Sequence, residues 1–188
     1  MSIIVDDPAS RIAERVSAER EIRGWSLADL SARAGVSKAM LSKIEREEVS
    51  PTASILARIA TAFDLTLAGL VAATPSKPQK LLRVAEQPRW RDPDSAYVRR
   101  QVFQSADNPL ELVEVNLPPG ARVAFPASSY ALIRQVVWLL SGRLEIREGG
   151  DTFSLKPGDR VEFGPPADSE FRNTSDHSCR YLVALVRH

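Results

Sequence analysis

The stretch Ser26–Arg46, SLADLSARAGVSKAMLSKIER, predicts two short helices joined by a tight turn. Ser26, followed three residues later by Asp29, resembles a capping box at the start of the first helix. Ser37 is placed to cap the second helix. Gly35 tolerates the positive φ that a tight turn between steeply packed helices requires. The stretch therefore predicts a helix-turn-helix.

The second of these helices is predicted to have one face free for a DNA groove, because Leu41 and Ile44 bury the opposite face. Residues 23–46 hold five basic and two acidic side chains, a local charge of 5 − 2 = +3 in a chain whose net charge is +1. This local excess suits phosphate contacts. A small helical bundle with solvated lysines is the alternative. The predicted DNA-binding residues are Ser37, Lys38, Ala39, Ser42, Lys43, Arg46 and Arg33.

The helical period extends on both sides of this stretch, from Ser10 to Ala73. Downstream, Ser50 followed by Pro51 predicts an N-cap with proline at the first helical position. Thr66 is placed to cap a short fifth helix. We therefore expect an all-α, five-helix DNA-binding domain over residues 1–73. Residues 74–80 contain two prolines, two lysines and no large apolar side chain, which predicts a linker.

Residues 81–188 follow a different sequence pattern, in which short apolar segments are separated by Pro and Gly turns. This spacing predicts a second, all-β domain built as a sandwich or closed barrel. The predicted strands are 96–103, 110–117, 133–140, 144–147 and 181–186.

The composition excludes several classes of protein. The 188 residues, 44% of them hydrophobic, can build two small cores. Cys179 is the only cysteine, so no intrachain disulfide can form, and its predicted role is packing rather than reactivity. No apolar run is long enough to span a bilayer, and the N-terminal charge density does not suit a secretory signal. We therefore expect a cytoplasmic protein without a membrane partner.

The helical half closely resembles the DNA-binding domain of the phage-repressor-like XRE family of transcription regulators. The resemblance runs from Gly24 to Leu70 and includes SLADLSARAGVSKAMLSKIEREEVSPTASILARIATAFDLT. It implies that the helix over 37–46 enters the major groove, with Lys38, Ala39, Ser42 and Lys43 nearest the base edges. Many members carry a DNA-contacting glutamine where this chain has Leu27, so that contact is not carried over.

The second half looks like a small cupin, a double-stranded β-helix barrel that members of the DNA-binding family often carry as a sensor. The resemblance lies in PPGARV, VVWLLSGRLEI, LKPGDRVEF and FRNTS. Cupin enzymes hold a divalent metal with three histidines and a glutamate, and those positions here fall in the segment 126–131 and at Gln135 and Ser169. His177 and His188, the only histidines, have no partner at ligand spacing. We therefore expect no metal, no cofactor and no catalytic activity.

The positions that hold the metal in other cupins carry hydrogen-bonding side chains here. They predict a pocket for a small organic effector, formed by Ser128, Ser129, Tyr130, Gln135 and Ser169. A filled barrel that serves only to dimerise is the alternative. Two further functions stay open: an enzyme like the iron-dependent phosphonate epoxidase that combines the same domain types, and an antitoxin-like module with an inert barrel.

The run Val136–Leu140 is apolar on both faces of its predicted strand. The face with Gln135 is predicted to line the barrel, so the face with Trp138 needs another cover. The options are the chain's own segment 81–84 or a second subunit, and we favour a homodimer formed through the barrel. A two-fold dimer would read an inverted-repeat operator in double-stranded DNA.

Overall fold

The computed structural model describes residues 8–71, 80–105 and 107–187 and consists of a helical half followed by a β-rich half. The predicted linker 74–80 lies outside the described residues except for Lys80. Among the residues described, no helix is long and apolar enough to cross a membrane. The five helices are α1 (Pro8–Ile22), α2 (Leu27–Ala34), α3 (Lys38–Glu45), α4 (Ala53–Ala62) and α5 (Leu67–Val71).

The helices pack through one continuous apolar core. Val16, Leu30, Leu41, Leu56 and Ile59 are each fully buried. Burying side chains of this size stabilises a fold by about 1.5 to 3 kcal/mol each. This shared core makes the helix-turn-helix and helices α4 and α5 a single packed unit.

One predicted helix start was wrong. Helix α4 begins at Ala53 with Thr52 as its N-cap, and Ser50 and Pro51 precede it. The Thr52 hydroxyl accepts from the Ile55 N–H at 3.5 Å. The Ala53 N–H donates instead to the buried carboxylate of Asp92, at 2.7 Å, in the β-rich half. Thr52 and Asp92 therefore accept the hydrogen bonds from the N–H groups of the first turn of α4, and Ser50 is not needed as a cap.

In the part of the chain that the structure describes, the β-rich half has ten strands in two facing sheets. The six-stranded sheet has the order β1-β2-β3-β10-β5-β8 and the four-stranded sheet the order β4-β9-β6-β7. A 3₁₀ turn over Ala127–Tyr130 joins β4 to β5. The strands are β1 (Arg89–Arg91), β2 (Val98–Ser105), β3 (Asn108–Leu117), β4 (Arg122–Phe125), β5 (Ile133–Ser141), β6 (Leu144–Glu148), β7 (Asp151–Leu155), β8 (Arg160–Glu162), β9 (Ser169–Arg172) and β10 (Cys179–Arg187).

The five predicted strands correspond to β2, β3, β5, β6 and β10, with small shifts at their ends. The predicted order of a five-helix, all-α half followed by an all-β half is confirmed for the described residues. Gly142 in the β5–β6 turn has φ of 85°, and a Cβ there would lie 2.7 Å from the Cα of Cys179. Only glycine fits that turn without a shift of the neighbouring strand.

Strand β5 separates its two faces as expected. Gln135, Val137 and Leu139 are buried inside the barrel. The opposite side of β5 and β10 forms an outer apolar face, made by Val136, Trp138, Leu182, Ala184 and Val186. Trp138 is 48% exposed on this face. The segment 81–84 does not cover it, because it forms no strand and its Leu81 is 65% exposed.

Candidate functional site

The turn between α2 and α3 has the geometry that its sequence predicts. The Ser26 hydroxyl accepts from the Asp29 N–H at 3.2 Å, and the Asp29 carboxylate accepts from the Ser26 N–H at 2.8 Å. Gly35 ends α2 with φ of 63° and donates to the Ser31 carbonyl. The Ser37 hydroxyl then accepts from the Met40 N–H and starts α3. These local bonds set the angle at which α3 leaves the turn.

Helix α3 buries Leu41 and Ile44 and leaves its opposite side open. Ser37, Lys38, Ala39 and Lys43 are exposed there, and Ser42 is half-buried. Within the described part of the chain, neither Lys38 nor Lys43 has a carboxylate at ion-pair distance. The acidic residue of this helix, Glu45, is held by Arg20 at 2.7 Å on the inner side. The open side of α3 is therefore cationic, which suits a polyanion.

The neighbouring arginines have different roles. Arg33, on α2, lies with its guanidinium 4.3 Å from the centre of the Trp25 ring and stays exposed. Arg46 follows α3 and forms an exposed ion pair with Glu48 at 3.0 Å. Arg23, which contributes to the local positive charge of the sequence, instead bonds Glu19 and the Phe63 carbonyl. The charge available to DNA is thus smaller than the sequence count.

A cavity of about 60 Å³ lies where the barrel mouth meets the helical half. Residues of strands β2, β3, β4, β5, β9 and β10 and of the 3₁₀ turn form its floor and walls. Its roof comes from the helical half, and the roof residues are Ala57, Thr61, Leu65, Thr66, Leu67 and Ala68. The helical half therefore covers part of the mouth of the barrel.

Three of the five predicted effector residues line this cavity: Ser129, Tyr130 and Gln135. Ser128 is exposed, and its carbonyl accepts a long hydrogen bond from Thr61 at 3.5 Å. Ser169 is buried and its hydroxyl bonds that of Tyr130, while it borders a wider, separate crevice beside α4. The cavity therefore contains only part of the predicted residue set, and it extends toward the helical half rather than toward Ser128 and Ser169.

The side chains at the usual metal positions of the cupin fold do not fit a transition metal. Gln135 offers an amide and Ser169 a hydroxyl that is already bonded to Tyr130. Burial raises the pKa of the Tyr130 phenol, so it stays neutral. Across the described residues there is no group of three or more His, Cys, Asp or Glu side chains that could hold a metal ion. Neutral amide and hydroxyl groups alone are a poor ligand set for such ions.

Tyr97 and Arg99 are two polar residues among the cavity residues that the sequence did not predict. Tyr97 directly precedes β2 and Arg99 lies in it, and the two alternate along the chain with the outward-facing Val98 and Arg100. The predicted strand 96–103 contained the signal, because side chains two apart on a strand share a face. No sequence signal indicates the roof, since it depends on how the two halves pack.

The roof is joined to the barrel by a buried polar contact. The Thr66 hydroxyl donates to the Glu111 carboxylate at 2.8 Å and accepts from the Gly69 N–H at 2.8 Å. Glu111 is 0% exposed and lies 3.3 Å from Arg187. Burial raises the pKa of Glu111, while the bond from Thr66 and the charge of Arg187 oppose that rise. One side chain thus caps α5 and bonds the barrel.

Two family models match this chain, one in each half. Residues 16–70 match the family HTH_3, helix-turn-helix, and residues 113–185 match the family Cupin_2, cupin domain. The first match contains α2 and α3 completely, and the second contains most of the cavity strands. The order of the two matches is that of the two halves of the structure.

Comparison with known proteins gives relatives that carry both halves. The HTH-type transcriptional regulator SutR of Escherichia coli K12 is 29% identical over 168 residues, covering 86% of each chain. The crystal structure of an HTH_3 family transcriptional regulator from Vibrio cholerae is 24% identical, covers 96% of this chain and 97% of that one, and has a TM-score of 0.79. The latter similarity shows a shared fold.

Another solved structure that covers most of this chain is that of an enzyme. Hydroxypropylphosphonic acid epoxidase from S. wedmorenis is 16% identical, covering 94% of this chain and 97% of that chain. Its TM-score of 0.49 is too low to support an argument about activity.

Proposed function

The chain is an XRE-type helix-turn-helix transcriptional regulator with a C-terminal cupin domain, and we propose that a small molecule in its barrel controls how it binds DNA. The observation that carries this proposal is the cavity shared by the two halves. A ligand there would touch the barrel and helices α4 and α5 at once. A ligand with different affinities for two arrangements of these helices shifts their populations.

The proposed DNA surface is the open side of α3. Ser37, Lys38, Ala39, Ser42 and Lys43 would lie in the major groove, with Arg33 and Arg46 toward the flanking phosphates. Helix α3 packs in the same core as α4, so a shift of α4 against the barrel would move α3 with it. This connection supplies the physical route from cavity to DNA.

We propose that the regulator acts as a homodimer through the outer apolar face. An exposed tryptophan among aliphatic side chains of two neighbouring strands supports an interface with a second copy. A two-fold dimer presents its recognition helices to half-sites about 34 Å apart, so the expected operator is an inverted repeat. A regulator of this kind works in the compartment that holds the DNA, the cytoplasm.

The barrel is proposed to sense rather than catalyse. The side chains at the metal positions are neutral, and the one cysteine is buried in the last strand. Purified, dialysed protein is expected to carry no stoichiometric iron, manganese, nickel or zinc by elemental analysis. One equivalent of metal in the barrel would contradict this part of the proposal and favour an enzyme.

The proposal is tested by a substitution whose larger side chain fills the cavity. Ser129→Leu adds an aliphatic side chain where the Ser129 hydroxyl borders the cavity. Ser128→Leu adds the same group at the preceding residue, which is exposed, and serves as the matched control. We expect Ser129→Leu to change operator affinity by about 5- to 150-fold, the usual span of coupling between two sites.

Operator affinity is measured by fluorescence anisotropy on a fragment selected by the wild-type protein. Ser128→Leu is expected to bind that fragment as wild type does. A folded Ser129→Leu variant with unchanged affinity would show that the barrel is inert toward DNA binding, as in an antitoxin-like module.

A further inference from the structure

The cavity limits the size of any occupant. Its enclosed volume of about 60 Å³ is well below the roughly 150 Å³ of a cavity that holds benzene. Apolar side chains form most of its wall, among them Leu65, Phe125, Val183 and Leu185. Sugars, nucleotides and aromatic metabolites are too large to be enclosed by it. The occupant is therefore small and partly apolar.

Three polar atoms of the cavity lining lack a hydrogen-bond partner, and one of them is the phenol oxygen of Tyr97. The side-chain nitrogen Nε2 of Gln135 and the hydroxyl of Ser129 are both buried without a hydrogen bond. Gln135 is 7% exposed and belongs to the cavity lining. A buried donor without a partner destabilises the fold, so such groups at a cavity point to an acceptor on a ligand.

A cation lies beside these donors. Arg99 lines the cavity, and within the described part of the chain no carboxylate lies within ion-pair distance of its guanidinium. The charge of Arg99 lowers the pKa of the buried Glu111, but that carboxylate is held by Arg187 and Thr66. Burial raises the pKa values of the phenols of Tyr97, Tyr130 and Tyr181, and the charge of Arg99 opposes each rise. The charge of Arg99 therefore acts inside the cavity.

We propose that the cavity binds a small aliphatic monocarboxylate of about two to four carbon atoms. Its carboxylate would accept hydrogen bonds from Arg99, Gln135 and Ser129, since guanidinium and carboxylate groups match in charge and shape. Its short chain would lie against the apolar side chains of the cavity. The single cation and the neutral donors suit one negative charge. This ligand class rests on the proposed function, because it names the effector of the same cavity.

The test compares propionate with propionamide, which has the same size and no charge. We expect millimolar propionate to raise the apparent melting temperature of the full chain and propionamide to leave it unchanged, because a ligand of the folded state stabilises it. Acetate and butyrate are run beside them to define the length of the apolar chain. Equal shifts with propionate and propionamide, or no shift with any of the three carboxylates, would overturn the proposal.

Two variants locate the site. Arg99→Gln removes the cation and is expected to weaken propionate binding by about 10- to 100-fold in calorimetry. Arg122→Gln removes an exposed arginine from β4 and is expected to bind propionate as wild type does. Undiminished binding by Arg99→Gln would also overturn the proposal. The comparison of propionate with propionamide needs only the wild-type protein, so it stands if Arg99→Gln does not fold.

Operator affinity measured with and without propionate separates the two proposals. Propionate that binds at Arg99 without changing operator affinity would refute effector control and leave the ligand class standing. A neutral metabolite that binds in place of the carboxylates and changes operator affinity would refute the ligand class and leave effector control standing.

Discussion

Lys38 and Lys43 extend from the open side of α3, and no carboxylate among the residues described is paired with either. We expect Lys38→Ala combined with Lys43→Ala to weaken operator binding while the melting temperature stays close to that of wild type. Removal of a lysine that binds a phosphate should flatten the slope of log affinity against log salt by about one unit. Removal of a side chain that reads a base should cost about 1 to 3 kcal/mol selectively at one base pair.

The matched control removes two exposed cations from the barrel, Lys156→Ala with Arg122→Ala. It changes the net charge equally but should leave the salt slope as it is. Operator affinity and specificity that survive the α3 substitutions would show that another surface reads DNA.

The reactivity of the Cys179 thiol also depends on the surroundings of a single residue. The side chain is 0% exposed, and burial raises the pKa of its thiol to about 12. At pH 8 only about one thiol in ten thousand would then be ionised. We expect iodoacetamide to label the protein at pH 8 only when guanidinium unfolds it, as followed by mass spectrometry. Labelling of the folded protein at the rate of free cysteine would contradict this burial.

At the scale of elements, the short helix α5 depends on a side chain that serves two partners. Thr66→Val removes both the cap on Gly69 and the bond to the buried Glu111. We expect the free energy of unfolding to fall by about 1 to 3 kcal/mol in urea titrations, because the Gly69 N–H is left without its acceptor and Glu111 without its donor. Thr66→Ser keeps the hydroxyl and should restore most of that stability.

Thr52→Ala is the control for a cap alone. Thr52 caps α4, and its hydroxyl has no carboxylate partner among the described residues. Its removal should cost about 0.5 to 2 kcal/mol. If Thr66→Val costs no more than Thr52→Ala, the bond between α5 and the barrel contributes nothing to stability.

At the scale of the whole molecule, the outer apolar face is the surface through which we expect two copies of the chain to associate. Leu182 lies opposite Trp138, and Ala184 lies opposite Val136, across the β5–β10 pair. We expect the wild-type protein to sediment as a dimer at micromolar concentration and Trp138→Asp to sediment as a folded monomer, because a buried unpaired carboxylate is costly at an apolar interface. Leu81→Asp changes an exposed leucine outside this face and should stay dimeric.

A wild-type monomer at micromolar concentration would refute the dimer itself. A folded Trp138→Asp protein that remains dimeric would instead place the interface elsewhere on the chain. Loss of the dimer should also weaken binding to an inverted repeat, because two linked helices bind with a higher effective concentration than one.

The sequence by itself determined the features that depend on neighbours along the chain. The capping box at Ser26, the left-handed Gly35 and the inward side of β5 with Gln135 all follow from local spacing. The family of each domain and the absence of histidines at the usual metal positions could also be read directly. These features are local because turn chemistry and side-chain alternation act within a few residues.

Only the tertiary structure decided the features that combine the two halves. Asp92 caps α4 from 39 residues away, and Thr66 meets Glu111 across 45 residues. The cavity joins Arg99 of the barrel to a roof from the DNA-binding domain, whereas the predicted pocket included the exposed Ser128. Such contacts depend on how two separately patterned units pack against each other, and no periodicity within either unit encodes that packing.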